Sequence, residues 1–334
     1  IYTYRYIPQN TFEEFKEFDI RTIKPKLTIP ASLMGERIKW GVQSGECFNN
    51  LKIKEDYDIL NAHGTPSEWA RNKNERMCWY CHSPNREAFD LYEWRMKNRN
   101  LIGKMMFKTS IKFYKHFEFK IVPKIESVLT NSINSQIRIR KYLKREAKII
   151  HPGVDVNKFE NESYNNYFFY PSRITPEKNF EMAIESFEKL RKKNDKYKKY
   201  ELIIAGSIQK ERKEHVQYLE KLQGMKKENV KILIDVSEEK LIELYKNCLC
   251  VLFTPINEDF GIVPLEAMSC EKPVIALNEG GPKETIVHGE TGYLVNNVHE
   301  MVEYMKELCD AVSYTHLRAH ETVLDLVCRL LLEK

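Results

Sequence analysis

The 334-residue sequence has no long apolar run and no regular spacing of cysteines. No uninterrupted apolar segment approaches the roughly 18 residues that a membrane-spanning helix needs, and no secretory leader opens the chain. The eight cysteines are scattered and lie mostly in apolar stretches, where a thiol behaves as a small hydrophobic group. These features argue against a disulfide-stapled scaffold and predict a globular protein of a reducing cytoplasm.

A starting methionine is also missing, since the chain opens with IYTYRYIPQN, which resembles the continuation of an earlier strand. From Ala311 onward, AVSYTHLRAHETVLDLVCRLLLEK breaks with the preceding pattern and resembles a translated sequencing-adapter read-through. The alternative is a genuine C-terminal helix, because TVLDLVCRLLLEK is amphipathic. We favour the first interpretation and expect a truncated start and a non-native tail over residues 311–334.

The charge is unevenly distributed along the chain. Residues 1–150 contain 28 Lys and Arg against 17 Asp and Glu, whereas residues 151–310 contain 22 against 28. A basic first half indicates an anionic partner, and charge alone does not separate a membrane surface, a phosphorylated acceptor and nucleic acid. Residues 95–124 hold nine Lys and Arg with a single Glu among large apolar residues. Such a segment is typical of a helix on an anionic membrane or of a helix with a solvated basic face.

Strand-like apolar segments alternate with amphipathic segments in residues 159–310. The strands are predicted in NYFFYPSRI, YELIIAGS, NVKILIDV, CVLFTP, KPVIAL and TGYLV, and the helices in NFEMAIESFEKLRKK, SEEKLIELYKNC and PLEAMSC. This alternation predicts a parallel, doubly wound sheet that binds ligands at the carboxyl ends of its strands. The first half shows the same pattern less clearly, in YDILNAHG, RMCWYCHSP, ESVLTNS and AKIIHPGVD. We predict two Rossmann-like α/β domains, 1–158 and 159–310, that face a ligand cleft.

Two glutamates, Glu258 and Glu266, lie in the segment NEDFGIVPLEAM, between a predicted strand and a helix that opens at Pro264. A loop containing Gly261 before a helix N-terminus offers backbone N–H groups and a positive helix end, with a carboxylate on each side. Phosphate and sugar hydroxyls need both kinds of group, so the segment predicts a nucleotide-sugar site. For Glu266 alone, an exposed helix carboxylate is the simpler interpretation.

Arg173 and Lys178 lie in SRITPEKN, in a predicted strand-to-helix loop. Cations are disfavoured at a helix N-terminus. A bound anion therefore explains the pair better than two solvated side chains do.

The segments SRITPEKN, NEDFGIVPLEAM and NEGGPKETIVHGETGYLV, in this order, resemble the retaining glycosyltransferases of family 4, which have the GT-B fold. The resemblance covers about residues 120–308, and YCHSPNREAFDLY adds a similarity to mannosyltransferase-like members. It implies transfer of a hexose, with mannose expected first, to a glycan or lipid-linked acceptor. The implied donor is a nucleotide-sugar, GDP-mannose or a UDP-sugar, and a truncated first domain puts activity in doubt.

The resemblance also implies residue roles. Arg173 and Lys178 correspond to a pair that binds the donor diphosphate, while Glu258 and His82 correspond to groups that contact the donor sugar; these four are the expected catalytic residues. A histidine satisfied at a strand end is the alternative for His82. The other expected donor contacts supply backbone N–H groups, close approach or a ribose contact, and they are Gly206, Phe260, Gly261, Ile262, Glu266, Gly280, Gly281 and Glu284.

No metal or other cofactor is expected. Asp56-Tyr57-Asp58 has the form of a metal-binding D-x-D motif but precedes a strand instead of ending one, and a solvated loop is the better interpretation. Two rival functions stay open, a GT-B nucleotide-sugar epimerase and a nucleic-acid-binding protein that uses the basic half, although we expect no nucleic-acid partner. We expect a cytoplasmic protein, at the inner face of the membrane if the acceptor is lipid-linked.

Overall fold

A computed structural model describes residues 1–8, 11, 13–26, 36–97 and 99–312. The chain divides into two compact units between Ile150 and His151, ahead of the predicted boundary at 158/159. His151 belongs to the second unit, where its ring stacks on Phe260 at 5.3 Å between centroids. The predicted non-native tail lies outside the described residues from position 313 onward.

The first unit contains a parallel sheet of short strands with helices around it. Its elements are β1 (Tyr2–Thr3), β2 (Arg21–Thr22), α1 (Glu36–Asn50), β3 (Leu60–His63), β4 (Met77–Tyr80), α2 (Tyr92–Lys97), α3 (Leu101–Ile121), β5 (Ser127–Thr130), α4 (Ile133–Leu143) and β6 (Lys148–Ile149). Strands β3, β4, β5 and β6 pair in that order, and β1 pairs with β2. Alternation along β4 buries Met77 and Trp79 in the core.

The second unit contains a parallel, doubly wound sheet, as the alternation of strands and helices predicted. Its elements are β7 (Tyr167–Pro171), α5 (Phe180–Lys193), β8 (Glu201–Gly206), α6 (Lys213–Met225), β9 (Val230–Ile234), α7 (Glu238–Asn247), β10 (Cys250–Phe253), α8 (Ile262–Ser269), β11 (Val274–Leu277), α9 (Pro282–Thr285), β12 (Gly292–Val295) and α10 (Val298–Val312). The parallel strands lie in the order β12-β11-β10-β7-β8-β9. The order reverses between β7 and β10, and ligands of such sheets bind at that switch point.

The central strands of this sheet are buried along their whole length. Every residue of β10 and β11 is buried, as expected for parallel strands covered by helices on both faces. Their sequences CVLF and VIAL therefore read as continuous apolar runs instead of alternating ones. This burial fixes the positions of the loops that leave the carboxyl ends of the strands.

The predicted start of α7 agrees with the structure, whereas the predicted start of α8 differs from it. Ser237 is confirmed as the N-cap of α7, since its hydroxyl accepts a bond from the Lys240 N–H at 3.3 Å. The prediction that Pro264 opens the next helix is wrong, because α8 begins at Ile262. Gly261, with a φ of 83°, makes the turn that starts the helix earlier.

In the part of the chain that the structure describes, no helix combines the length and apolar character that crossing a membrane requires.

Gly206, at the end of β8, is packed against the loop that follows β7. A Cβ placed there would overlap the carbonyl oxygen of Ser172. The two neighbouring strand ends can therefore approach only because residue 206 has no side chain. Its position at the carboxyl edge is as expected, but its immediate contact is with this protein's own backbone.

We expect Gly206→Ala to lower the free energy of unfolding by about 2 kcal/mol, because the added methyl must push the two loops apart. Chemical denaturation with urea measures the change. Gly224→Ala is the matched control, since nothing lies within 4 Å of a Cβ there and the residue is helical. It should shift stability by at most about 1 kcal/mol, in the stabilising direction. Equal behaviour of both variants would contradict the packing role of Gly206.

Candidate functional site

An ion pair between a buried lysine and a partly buried glutamate joins the loops that follow β7 and β10, at the switch point of the second sheet. Lys178 Nζ lies 2.7 Å from Glu258 Oε2, and the two side chains are only 9% and 20% exposed. Lys178 ends a short helical turn, Pro176–Lys178, that follows β7, and Glu258 lies in the loop that follows β10. The two residues that the sequence singled out from separate motifs are thus in direct contact.

A buried tyrosine, Tyr170, is hydrogen-bonded to the loop that carries Lys178. The Tyr170 hydroxyl donates to the backbone carbonyl of Lys178, and it accepts a bond from the Thr254 N–H at 3.1 Å. The Ile256 N–H donates to the carbonyl of Glu177 at 3.0 Å, which adds a backbone link between the two loops. Burial raises the pKa of Tyr170, so its hydroxyl stays protonated and can continue to donate. Sequence reasoning missed Tyr170 and Thr254, because both look like ordinary core positions.

Arg173 differs from Lys178 in its surroundings. Its side chain is exposed, and within the described residues it has no carboxylate partner. A guanidinium held near the switch point without a protein anion is available to bind one from solution.

Gly280 and Gly281, in the loop that follows β11, pack against the loop that carries Glu258, here called the acidic loop. Added Cβ atoms would overlap the backbone of Glu258 and Phe260, and the Gly281 N–H donates to the Glu258 carbonyl at 2.9 Å. Gly280 also has a φ of 66°, a conformation that favours glycine. These glycines therefore fix the position of Glu258 by close backbone contact between the two loops. Glu284 follows them in α9 and is half-buried.

At the start of α8, three backbone donors have no protein partner among the residues that the structure describes. In the described residues, no acceptor contacts the N–H groups of Phe260, Gly261 and Ile262. Phe260 is buried and stacked on His151, while Ile262 is 40% exposed. An anion at this helix N-terminus would satisfy these donors.

Glu266 lies further along α8 and is half-buried. Its Oε2 accepts a hydrogen bond from the Tyr245 hydroxyl at 2.5 Å. Burial raises the pKa of Glu266, and the bond from Tyr245 acts in the opposite direction. Glu266 is thus not the solvated helix carboxylate of the simpler interpretation.

His82 lies in the first unit, after β4, and is exposed. Its ring contacts Tyr80 edge-on at 4.9 Å between centroids and lies 6.2 Å from the ring of His63. Its carbonyl accepts a bond from the Ser135 hydroxyl at 2.8 Å. The exposed ring at the carboxyl end of a strand agrees with a ligand-facing position in its own sheet.

The described residues include no group of three or more His, Cys, Asp or Glu side chains able to hold a metal ion. Asp56 and Asp58 lie in a loop ahead of β3.

Residues 154–314 match the family model of the Glycosyl transferases group 1. The second unit is a group 1 glycosyltransferase domain. With two α/β units of parallel strands, the chain has the GT-B fold. Group 1 glycosyltransferase domains use nucleotide-sugar donors, which agrees with a site that combines cations, carboxylates and a helix N-terminus.

Relatives extend the likeness beyond the glycosyltransferase domain. The chain is 29% identical over 261 residues to the α-1,3/1,6-mannosyltransferase ALG2 of Dictyostelium discoideum, covering 67% of this chain and 59% of that protein. It is 27% identical over 331 residues to ALG2 of Mus musculus, covering 88% of this chain and 75% of that protein. The chain thus spans about three fifths to three quarters of these relatives.

Solved structures support the fold alone. Sucrose-phosphate synthase of Thermosynechococcus elongatus superposes with a TM-score of 0.74 at 17% identity, over 99% of this chain and 84% of that one. HepE of Anabaena, solved with UDP-glucose, gives a TM-score of 0.67 at 16% identity, over 96% of this chain and 86% of that one.

We expect Glu258→Ala to lower the free energy of unfolding by about 2 kcal/mol, because it leaves the Lys178 ammonium buried without its partner. Adding Lys178→Met should restore part of this loss. Chemical denaturation of the single and double variants measures both. The exposed pair Lys158–Glu238 supplies the control, since Glu238→Ala should change stability little. Additive effects at positions 178 and 258 would mean that the ion pair contributes nothing.

Proposed function

We propose that this chain is a retaining glycosyltransferase that transfers mannose from GDP-mannose to a glycan or lipid-linked acceptor. The donor sugar rests on the mannosyltransferase names of the relatives, which match along most of the chain, and on the segment YCHSPNREAFDLY. The site itself rests on one observation: the buried Lys178–Glu258 pair at the switch point. An ammonium and a carboxylate in contact there suit a ligand that carries a diphosphate beside sugar hydroxyls.

The proposed roles follow the surroundings of each group. Lys178 and Arg173 bind the diphosphate, and the N–H groups at residues 260–262 add donors at the start of α8. Glu258 accepts hydrogen bonds from sugar hydroxyls, and Glu266 from the ribose. Gly206, Gly280 and Gly281 hold the loops close, with Glu284 beside them, and His82 in the first unit contacts the donor sugar.

The proposed reaction needs no metal and no covalent intermediate. The bond from the anomeric carbon to the diphosphate oxygen breaks, and the acceptor oxygen bonds to that carbon on the same face. The acceptor proton passes to the departing diphosphate. Arg173 and Lys178 stabilise the charge that develops on the leaving group, so their contribution grows in the transition state.

A thermal-shift and hydrolysis screen against GDP-mannose, UDP-glucose and ADP-glucose tests the proposal. GDP-mannose should stabilise the protein most, and Lys178→Ala should weaken its binding by about tenfold or more, since it removes a charged contact to phosphate. Lys158→Ala, which removes an exposed lysine of the same unit, should bind as the wild type does. Absence of stabilisation by any nucleotide-sugar, or unchanged binding by Lys178→Ala, would overturn the proposal. Release of an epimerised sugar would favour the epimerase.

We also propose that α3 lies on an anionic membrane surface. Leu101, Ile102 and Met105 at its start are 84%, 68% and 66% exposed. Lys108 and Lys112 are exposed further along the same helix. Exposed apolar side chains beside lysines suit insertion at a surface of negatively charged lipid. Such lipid is enriched in the cytoplasmic leaflet, which is where we propose that the protein works.

Co-sedimentation with phosphatidylcholine vesicles, with and without phosphatidylserine, tests this surface. The wild-type chain should bind the phosphatidylserine vesicles and lose binding as salt rises. Replacing Leu101, Ile102 and Met105 by Ser should abolish binding. The control replaces Ile133 and Ile137, which are 44% and 55% exposed on α4, and should keep it. Equal binding by both sets of variants would contradict a role for α3.

A further inference from the structure

Tyr245 is a core residue whose ring and hydroxyl are both held in a defined position. It lies in α7, is fully buried, and is held edge-on by two rings, Phe159 at 5.6 Å and Phe169 at 5.1 Å between centroids. Both rings meet the Tyr245 plane at 90°. A ring confined in this way has one place for its hydroxyl, and that place is 2.5 Å from Glu266 Oε2.

Among the described residues, only one of the two oxygens of the Glu266 carboxylate accepts a hydrogen bond. Oε2 accepts from Tyr245, and in the described residues no donor contacts Oε1. A carboxylate has about four acceptor positions. Oε1, together with the second lone pair of Oε2, therefore has room to accept at least two further hydrogen bonds.

From this arrangement we infer that Tyr245 is a positioning residue that fixes the Glu266 carboxylate for the 2′,3′-diol of the donor ribose. The inference rests on the proposed function, in which Glu266 faces the ribose. Two adjacent hydroxyls on one side of a sugar ring can donate to two of the acceptor positions that Tyr245 leaves open. Tyr245 would thereby set the preference for ribonucleotides over 2′-deoxyribonucleotides without touching the ligand.

Electrostatics gives the tyrosine a second effect on the same carboxylate. Burial raises the pKa of Glu266, which favours the protonated form, and a protonated carboxyl is a poorer acceptor. The hydrogen bond from Tyr245 favours the ionised form. Tyr245 itself does not compete as an anion, since burial and the nearby carboxylate raise its own pKa.

The test compares binding of GDP and 2′-deoxy-GDP, and of UDP and 2′-deoxy-UDP, to the wild type and to Tyr245→Phe. The wild type should prefer the ribonucleotide by about tenfold, the value of one hydrogen bond to a charged group. Tyr245→Phe should lose most of this preference, because it weakens binding of the ribonucleotide, which has both hydroxyls, more than binding of the 2′-deoxyribonucleotide, which keeps only the 3′-hydroxyl. In turnover it should raise the donor KM and leave kcat near its wild-type value, because the ribose contact is the same in ground and transition states.

Two variants separate positioning from simple support of the fold. Tyr167→Phe also removes a hydroxyl that bonds α7, since Tyr167 donates to the Leu244 carbonyl at 2.9 Å, and it should keep the wild-type preference. Glu266→Gln should lose the preference, and adding Tyr245→Phe to it should change nothing further.

The outcomes distinguish the inference from the function on which it rests. If Tyr245→Phe weakens both kinds of nucleotide equally, or neither, Tyr245 is structural and the inference is wrong while the function stands. The same holds if the wild type binds nucleotides without regard to the 2′-hydroxyl. If the wild type binds neither GDP nor UDP, the proposed function fails together with the inference.

Discussion

The contact between Lys178 and Glu258 is the interaction that the pairing of β7 with β10 and the hydrogen bonds around it hold in place. A buried ammonium beside a partly buried carboxylate is tolerated only when the geometry of the two groups is closely held. Buried strands β7 and β10 place the two loops side by side, and Tyr170 ties the Lys178 loop to Thr254 beneath it. Gly281 holds the acidic loop from its other side. The apolar sheet thus acts as the rigid base on which a charged pair can be kept in place.

The pair also explains how a site can be stable before its ligand arrives. Two cations near a helix N-terminus repel each other and the helix end. In the protein alone, Glu258 neutralises the buried Lys178, whereas Arg173 remains in solvent, where its charge costs little. In the proposed complex, the diphosphate shares Lys178 with Glu258 and is bound by Arg173 as well. Ligand charge would then replace solvent around groups that the fold already positions.

The sequence predicted the second unit closely and the contacts within its site only in part. Continuous apolar runs such as CVLF identified the strands, because parallel strands covered on both faces carry no alternation. The motif residues were found from their spacing in predicted strand-to-helix loops and from the resemblance to the family 4 glycosyltransferases. The sequence did not reveal the hydrogen-bond partners of two tyrosines that look like ordinary core residues. In the structure, the Tyr245 hydroxyl bonds to Glu266 and the Tyr170 hydroxyl to the Lys178 carbonyl. The α8 start was misplaced because Pro264 is a common helix opener, while the left-handed turn at Gly261 cannot be read from composition.

The position of the ion pair at the switch point also affects the order in which contacts form as the protein folds. Lys178 and Glu258 are 80 positions apart, and the strands that carry them pair directly. Contacts of such separation form late, since loop closure must be offset before they contribute. A chain still emerging from the ribosome would have β7, β8 and β9 well before β10, and would hold Lys178 without its counter-ion. The Lys178–Glu258 contact therefore forms only after β10 has joined β7, and a domain that lacks β10 has a lysine at this position without its carboxylate.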